Sequence, residues 1–398
     1  MPAPASLHEI QQRADAQFMI YGPATAPTAI EIVETFGEFP AEYAAIRQRV
    51  GIMHLPHLGL LRLTGFDRAD LLHRLLTQDI KAMAHGQSRR AFQLNDKGRI
   101  VADVIVHHGD ADTWLQTDRL DLTALRTLLE SKIFTEDVTI EDFSPQRTIF
   151  ALHGPAAWPL LQALMDRHAD TAPLPLAHHS VVTLAGVPVT VSRRDICAVP
   201  GLDLFVPSED ATDLYQKLLD AAGFDPQADV DATFAEKRRS GLRGRPIGWR
   251  AFNTARIEAG SPLFHVDFAA DSLPAETGIL DQAVSFTKGC YLGQEIVARM
   301  KNLGHPKRIL VGLKIAGDEL PVAGAQVLEA LDPQTPSAQG QPIGGITSST
   351  LAPMLGNTPI AFAVLKWGKH APGTAVDIVA EGYPVRAVVQ GLNFLSTQ

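Results

Sequence analysis

Cysteine is the scarcest residue in this 398-residue chain, with only Cys197 and Cys290. Two thiols cannot build a disulfide framework over this length. They also fall short of the roughly four ligands that an iron–sulfur cluster or structural zinc requires. So few cysteines suit a reducing cytosol, and the expected location is cytoplasmic. Positive charge is in deficit too, with 35 Lys and Arg against 44 Asp and Glu, a net charge of −9. Dedicated nucleic-acid binders are more often basic, so no stable nucleic-acid partner is expected. No stretch reaches the ~18 uninterrupted apolar residues of a membrane span. The start, Met1-Pro2-Ala3-Pro4-Ala5-Ser6, lacks the basic-then-apolar pattern of a secretory signal. Gly-rich phosphate loops, Gly-x-Ser-x-Gly and His-Glu-x-x-His are all missing. The fourteen histidines are scattered. His54 and His57 have no third ligand at metal spacing, and His107-His108 and His178-His179 point apart as sequence neighbours do. These are packing or surface histidines by expectation, and no metal site is expected.

What is present is ordinary globular material: 45% hydrophobic and 20% charged residues, enough for two or three domains. Residues 1–35, rich in Ala and Pro, read as a flexible extension. From Pro40 the pattern tightens. Apolar steps of three and four predict helices over 41–50, 67–76, 121–131, 156–165, 209–222 and 247–259. Runs at 58–63, 90–94, 100–107, 114–117, 148–152, 181–191 and 202–206 predict strands, and Asn95-Asp96-Lys97-Gly98 is a hairpin signal. Beyond Pro306 come five short β-type runs at 309–315, 344–348, 360–365, 376–379 and 385–389. They predict a small antiparallel barrel or sandwich, with 330–336 a surface loop. The fold class is α+β, two mixed α/β lobes at about 36–145 and 146–306, then a β-barrel domain at 307–398.

Three stretches carry chemistry. Lys288-Gly289-Cys290-Tyr291-Leu292-Gly293-Gln294-Glu295 sets a thiol beside an ammonium and ahead of a predicted helix start; both favour thiolate. Asp103 is the one charge inside the apolar strand 100–107, and a buried carboxylate needs a partner or a polar cavity. Trp249, Phe252 and Arg256 share a helix face, an aromatic wall with a guanidinium that suits a flat, hydrogen-bonding ring or a carboxylate. Cys197 has no such neighbours and reads as core filler. From Lys288 to Arg308 five bases (Lys288, Arg299, Lys301, Lys307, Arg308) face one acid, Glu295. That basic island could meet a polyglutamyl tail or a phosphate.

The stretch 289–295, with Arg256-Ile257-Glu258-Ala259-Gly260 and Gly98 to Val104, resembles the YgfZ-type folate-binding proteins of the glycine-cleavage T-protein superfamily. The resemblance covers about Ala41 to Leu395. It implies a three-lobed ring around a folate channel, and tetrahydrofolate as cofactor. Asp103, Phe252, Arg256 and Tyr291 would contact the folate, and Cys290 with Lys288 would form the reactive pair. The implied function is a monomeric helper in assembly or repair of iron–sulfur clusters, with cluster proteins or assembly factors as partners, including tRNA-modifying enzymes. The alternative is a tetrahydrofolate-dependent aminomethyl or methyl transferase. One departure bears on it. Where T-proteins carry a pterin-holding glutamate, this chain has Val199, whose side chain cannot accept the pterin N–H groups.

Overall fold

A computed structural model describes residues 5–23, 29–166, 172–224, 242–330, 340–380 and 382–396. The chain forms two compact units that interleave in sequence. The first takes 1–69, 82–89 and 105–252; the second takes 70–81, 90–104 and 253–398. Hydrogen bonds within the second unit tie early segments to late ones. Thr77 bonds the Ala283 carbonyl, and the Ile100 amide bonds the Ser272 carbonyl.

The first unit centres on a six-stranded sheet. Its order is His179–Leu184, Val187–Arg193, Gly201–Pro207, Arg147–His153, Gly51–His54 and Arg245–Pro246, with only the last pair parallel. The run expected as one strand over 181–191 is a hairpin. Ala185 and Gly186 both take positive φ, the geometry a tight two-residue turn demands. Helices Ala157–Leu164 and Ala211–Ala222 bury Leu160, Leu161, Leu214, Leu218 and Leu219 in the core. Strands Thr113–Asp118, Leu58–Thr64 and Thr139–Asp142 pair antiparallel in that order.

The segment before Thr35 is not a loose extension where it is described. Ser6 and Glu9 form a capping box for helix Leu7–Arg13, and Gln17–Tyr21 pairs antiparallel with Ile30–Thr35. Leu7, Ile10, Phe18 and Val33 pack on the first unit's core. The apolar signal is split between two short strands, so no period held in sequence. Residues 24–28 of the Ala/Pro stretch lie outside the described residues.

The second unit holds a closed antiparallel barrel. Its order is Arg308–Ile315, Thr358–Lys366, Pro342–Ala352, Gln326–Glu329, Ala375–Ala380 and Tyr383–Gln390. Alternate residues such as Val311, Leu313, Val376, Ile378, Ala387 and Val389 fill its interior, the period of two that a barrel imposes. Gln326–Glu329 escaped the sequence reading because it is only four residues long. The expected loop after Ala330 lies outside the described residues. A second apolar cluster (Phe92, Leu94, Ile100, Phe264, Phe268, Tyr291, Val297) lies under the 285–293 segment. Among the described residues no helix is long and apolar enough to cross a membrane.

Candidate functional site

In the second unit the Lys288 stretch is a pinned loop. Lys288 is 8% exposed, and its ammonium donates to the backbone carbonyls of His73, Leu76 (2.6 Å) and Gln78 (3.1 Å). These carbonyls lie at and just beyond the end of helix Arg68–Leu75, where backbone acceptors lack intrahelical donors. The ammonium therefore acts as a remote C-cap. It also stands 4.9 Å from the Tyr291 ring centroid. Burial pushes its pKa down to about 8. Thr77 fastens the same loop twice, by its hydroxyl to Ala283 and by its carbonyl to the Ser285 amide; the Arg74 carbonyl takes the Leu292 amide. Tyr291 is 7% exposed in the apolar cluster, and burial raises its pKa to about 12.

Between these anchors Cys290 is exposed and free, while Cys197 is buried. A Cβ at neighbouring Gly289 would meet nothing within 4 Å, so the approach to the thiol is open. Helix Gln294–Leu303 follows, and Gly98 seats closely on it: a Cβ there would come 2.7 Å from Ile296.

Asp103 is held by Arg90 in a two-pronged ion pair, with N–O distances of 2.5, 3.0 and 3.2 Å. The same guanidinium bonds the Pro262 carbonyl. Arg256 is fully buried. It pairs with Asp267 at 2.5 Å and donates to Asn253 (2.9 Å), Ser348 (3.1 Å) and the Ser261 carbonyl (3.2 Å). Asp267 also accepts from the hydroxyls of Thr347 and Ser348 and from the Leu263 amide.

The first unit holds a separate aromatic cluster. Trp249 stands 5.8 Å from Tyr21, 5.7 Å from His57 and 5.6 Å from Phe252, centroid to centroid; Phe252 stands 5.5 Å from His153. His153 is 1% exposed, and neither of its ring nitrogens has a hydrogen-bond partner among the described residues; the same holds for His57 Nδ1. Burial lowers the pKa of His153 to about 4 and that of His57 to about 3, so both rings are neutral at pH 7. A neutral imidazole offers one donor and one acceptor. His153 ends a central strand, and its cross-strand partners are Gly51 and Gly201, neither with a side chain to cover it. Nearby, Asp203 accepts from Arg194 and Gln116, and Gln116 bonds His107, which bonds Ser88.

The comparisons with known proteins fit this architecture. Residues 7–288 match the GCVT N-terminal domain, and 308–395 match the glycine cleavage T-protein C-terminal barrel domain. The chain belongs to the glycine cleavage T-protein family. It is 26% identical to an aminomethyltransferase of Caldanaerobacter subterraneus subsp. tengcongensis, over 98% of this chain and 94% of that protein. It is 28% identical to an aminomethyltransferase of Cutibacterium acnes, over 89% of each. The crystal structure of the glycine cleavage system aminomethyltransferase T from Bartonella henselae shares its fold, with a TM-score of 0.80 at 23% identity, over 98% of this chain and 97% of that one.

Within this T-protein fold several expected roles change. Lys288 spends its ammonium on three carbonyls and so positions the loop. Arg256 is fully buried, and four of its five N–H donors are taken by Asn253, Ser261, Asp267 and Ser348. Tyr291 is a core residue. Asp103 carries a neutralising partner already. Phe252 packs beside Trp249 with the two rings tilted by 53°, and is itself buried. The basic island shrinks: Lys288 is buried, and Arg308 pairs with Asp271 and Glu276. The sequence takes His57 as a packing or surface histidine and does not single out His153. They are buried, as packing residues are, but their unpartnered nitrogens set them apart.

Proposed function

We propose that this T-protein family member binds a tetrahydrofolate and, with Cys290 as an accessory thiol, assists assembly or repair of iron–sulfur clusters. The observation that carries the thiol role is the Lys288-pinned loop, which holds Cys290 out to solvent beside an open Gly289. An exposed thiol on a fastened loop is suited to meeting a partner's cluster or thiol. Support for the folate comes from the aromatic cluster. Trp249 and Phe252 offer flat apolar faces, and the unpartnered nitrogens of His153 and His57 offer both donor and acceptor. A pterin is a flat ring that presents both. The chain's own residues would bind and orient it; the one-carbon chemistry is the folate's.

His153→Phe tests the folate site. Phenylalanine fills similar space and removes two buried unpaired groups, so folding stability should hold or rise slightly. Tetrahydrofolate affinity by calorimetry should fall at least tenfold. Unchanged affinity would show that the ring nitrogens are not ligand contacts. Cys290→Ala, placed in cells lacking the native protein, tests the thiol: aconitase-type activity and tRNA thiolation should drop, and normal levels would remove Cys290 from the function.

A second reading is aminomethyl transfer to tetrahydrofolate. The names of the relatives favour it directly, since those cited are aminomethyltransferases. Val199 and the Arg90-clamped Asp103 count against it: the first cannot accept a pterin N–H, and the second is no free base. Formation of methylene-tetrahydrofolate from an aminomethyl donor, lost in Asp103→Asn and kept in Cys290→Ala, would establish this reading over the first.

A further inference from the structure

Two loops of the first unit each raise a phenylalanine almost wholly into water. Phe66 is 87% exposed and Phe134 is 81% exposed. An aromatic ring ordinarily buries most of its area, so two such rings on neighbouring loops are unusual. The loops are fastened to each other. The Asp137 carboxylate accepts from the Phe66 amide (3.0 Å), and the Asp67 carboxylate accepts from the Asp137 amide (2.8 Å). The Asp67 amide donates to the Asp137 carbonyl (3.2 Å). Glu136 accepts from the amides of Phe134 (2.8 Å) and Thr135 (3.1 Å). Gly65 permits this closeness. Its φ is +101°, and a Cβ there would lie 2.0 Å from the Asp137 carbonyl oxygen. The two tips are thus ordered in the free chain, and little conformational entropy remains to be lost on binding.

We infer that Phe66 and Phe134 form a docking surface for a protein partner that offers an apolar cleft bordered by Lys and Arg. Exposed aromatic anchors are the side chains that dominate interface energies. The surrounding charge sets the partner's sign. Asp67, Glu130, Glu136, Asp137 and Glu141 stand on these two segments, against Arg68, Lys132 and, from the preceding turn, Arg126 paired with Glu130. A surface of that sign repels anionic lipid and nucleic acid, and repels a second copy of itself face to face. A basic rim around an apolar floor complements it. The inference does not depend on the folate or thiol readings.

The test uses the full chain with the photo-crosslinking analogue benzoyl-phenylalanine at position 66 or 134, and at exposed Tyr383 as control. The expected result is one and the same protein joined from 66 and from 134 and not from 383. That protein, purified, should bind the wild-type chain more weakly as salt rises. The variant Phe66→Ser with Phe134→Ser should bind it at least tenfold more weakly. Both rings stand in water, so the double variant should keep the wild-type melting temperature, and lost binding then reports the surface itself. The inference is overturned by adducts only with a second copy or with lipid, by no common adduct, or by a double variant that binds within twofold of wild type.

Discussion

Asp267→Ala is expected to lower the stability of this protein by about 3–5 kcal/mol, the range for breaking a buried ion pair from one side. The reason is what remains. Arg256 has no exposed surface, and without Asp267 its guanidinium stays buried with only neutral acceptors at Asn253, Ser261 and Ser348. Ser348 and the Leu263 amide lose their acceptor in the same step, and Thr347 keeps only the Phe362 carbonyl (3.3 Å). The carboxylate joins barrel strand Pro342–Ala352 to the turn after helix Trp249–Glu258, so the damage should fall on the second unit. Replacing both charges, as Arg256→Met with Asp267→Leu, should recover most of the loss, because desolvating the pair is itself costly. Denaturant midpoints followed by circular dichroism separate the cases. A single variant within 1 kcal/mol of wild type would mean that water reaches the guanidinium.

The same pair shows where sequence reasoning stops. In sequence Arg256 reads as a ligand residue because its helix carries aromatics at helical spacing. Two of its partners, Asp267 and Ser348, lie 11 and 92 residues away and are brought to it by tertiary folding. Lys288 bonds carbonyls 210 to 215 residues earlier, and nothing in the local motif announces them. The glycines flanking His153, at 51 and 201, meet it only when three strands come into register. Local features were legible. The Asn95–Gly98 turn closes as expected, with Asn95 Oδ1 accepting from the Lys97 and Arg99 amides. The barrel strands follow their alternating pattern. One missed contact was within reach. Arg90 and Asp103 lie on the two arms of that hairpin, 13 residues apart, and opposite charges on facing strands commonly pair. Read that way, the lone aspartate in an apolar strand is explained before any ligand is invoked.

Lys288→Met should give the second large effect, a loss of about 2–4 kcal/mol, since hydrogen bonds from a charged donor contribute roughly 1.5–3 kcal/mol each and buried acceptors left unpaired cost more. The variant keeps the length and apolar stem of lysine, so the loss isolates the terminal nitrogen and its hydrogen bonds. The carbonyls of His73, Leu76 and Gln78 would lose their shared donor, and the loop would lose its anchor ahead of Cys290. Amide exchange gives the local readout. The Ser285 and Leu292 amides, bonded to Thr77 and Arg74, should exchange at least tenfold faster. The pH dependence has a definite sign. Burial sets the folded pKa of Lys288 at about 8, below the ordinary 10.5, so the folded loop holds this proton less tightly than the unfolded chain does. A depressed value of this kind contributes stability fully above the unfolded pKa, and that contribution is lost as pH falls through about 8. The stability difference between wild type and Lys288→Met should therefore widen as pH rises from 8 toward 10.5. A difference flat across that window would mean that the three carbonyls offset the cost of burying the charge, and that the ammonium keeps its proton throughout.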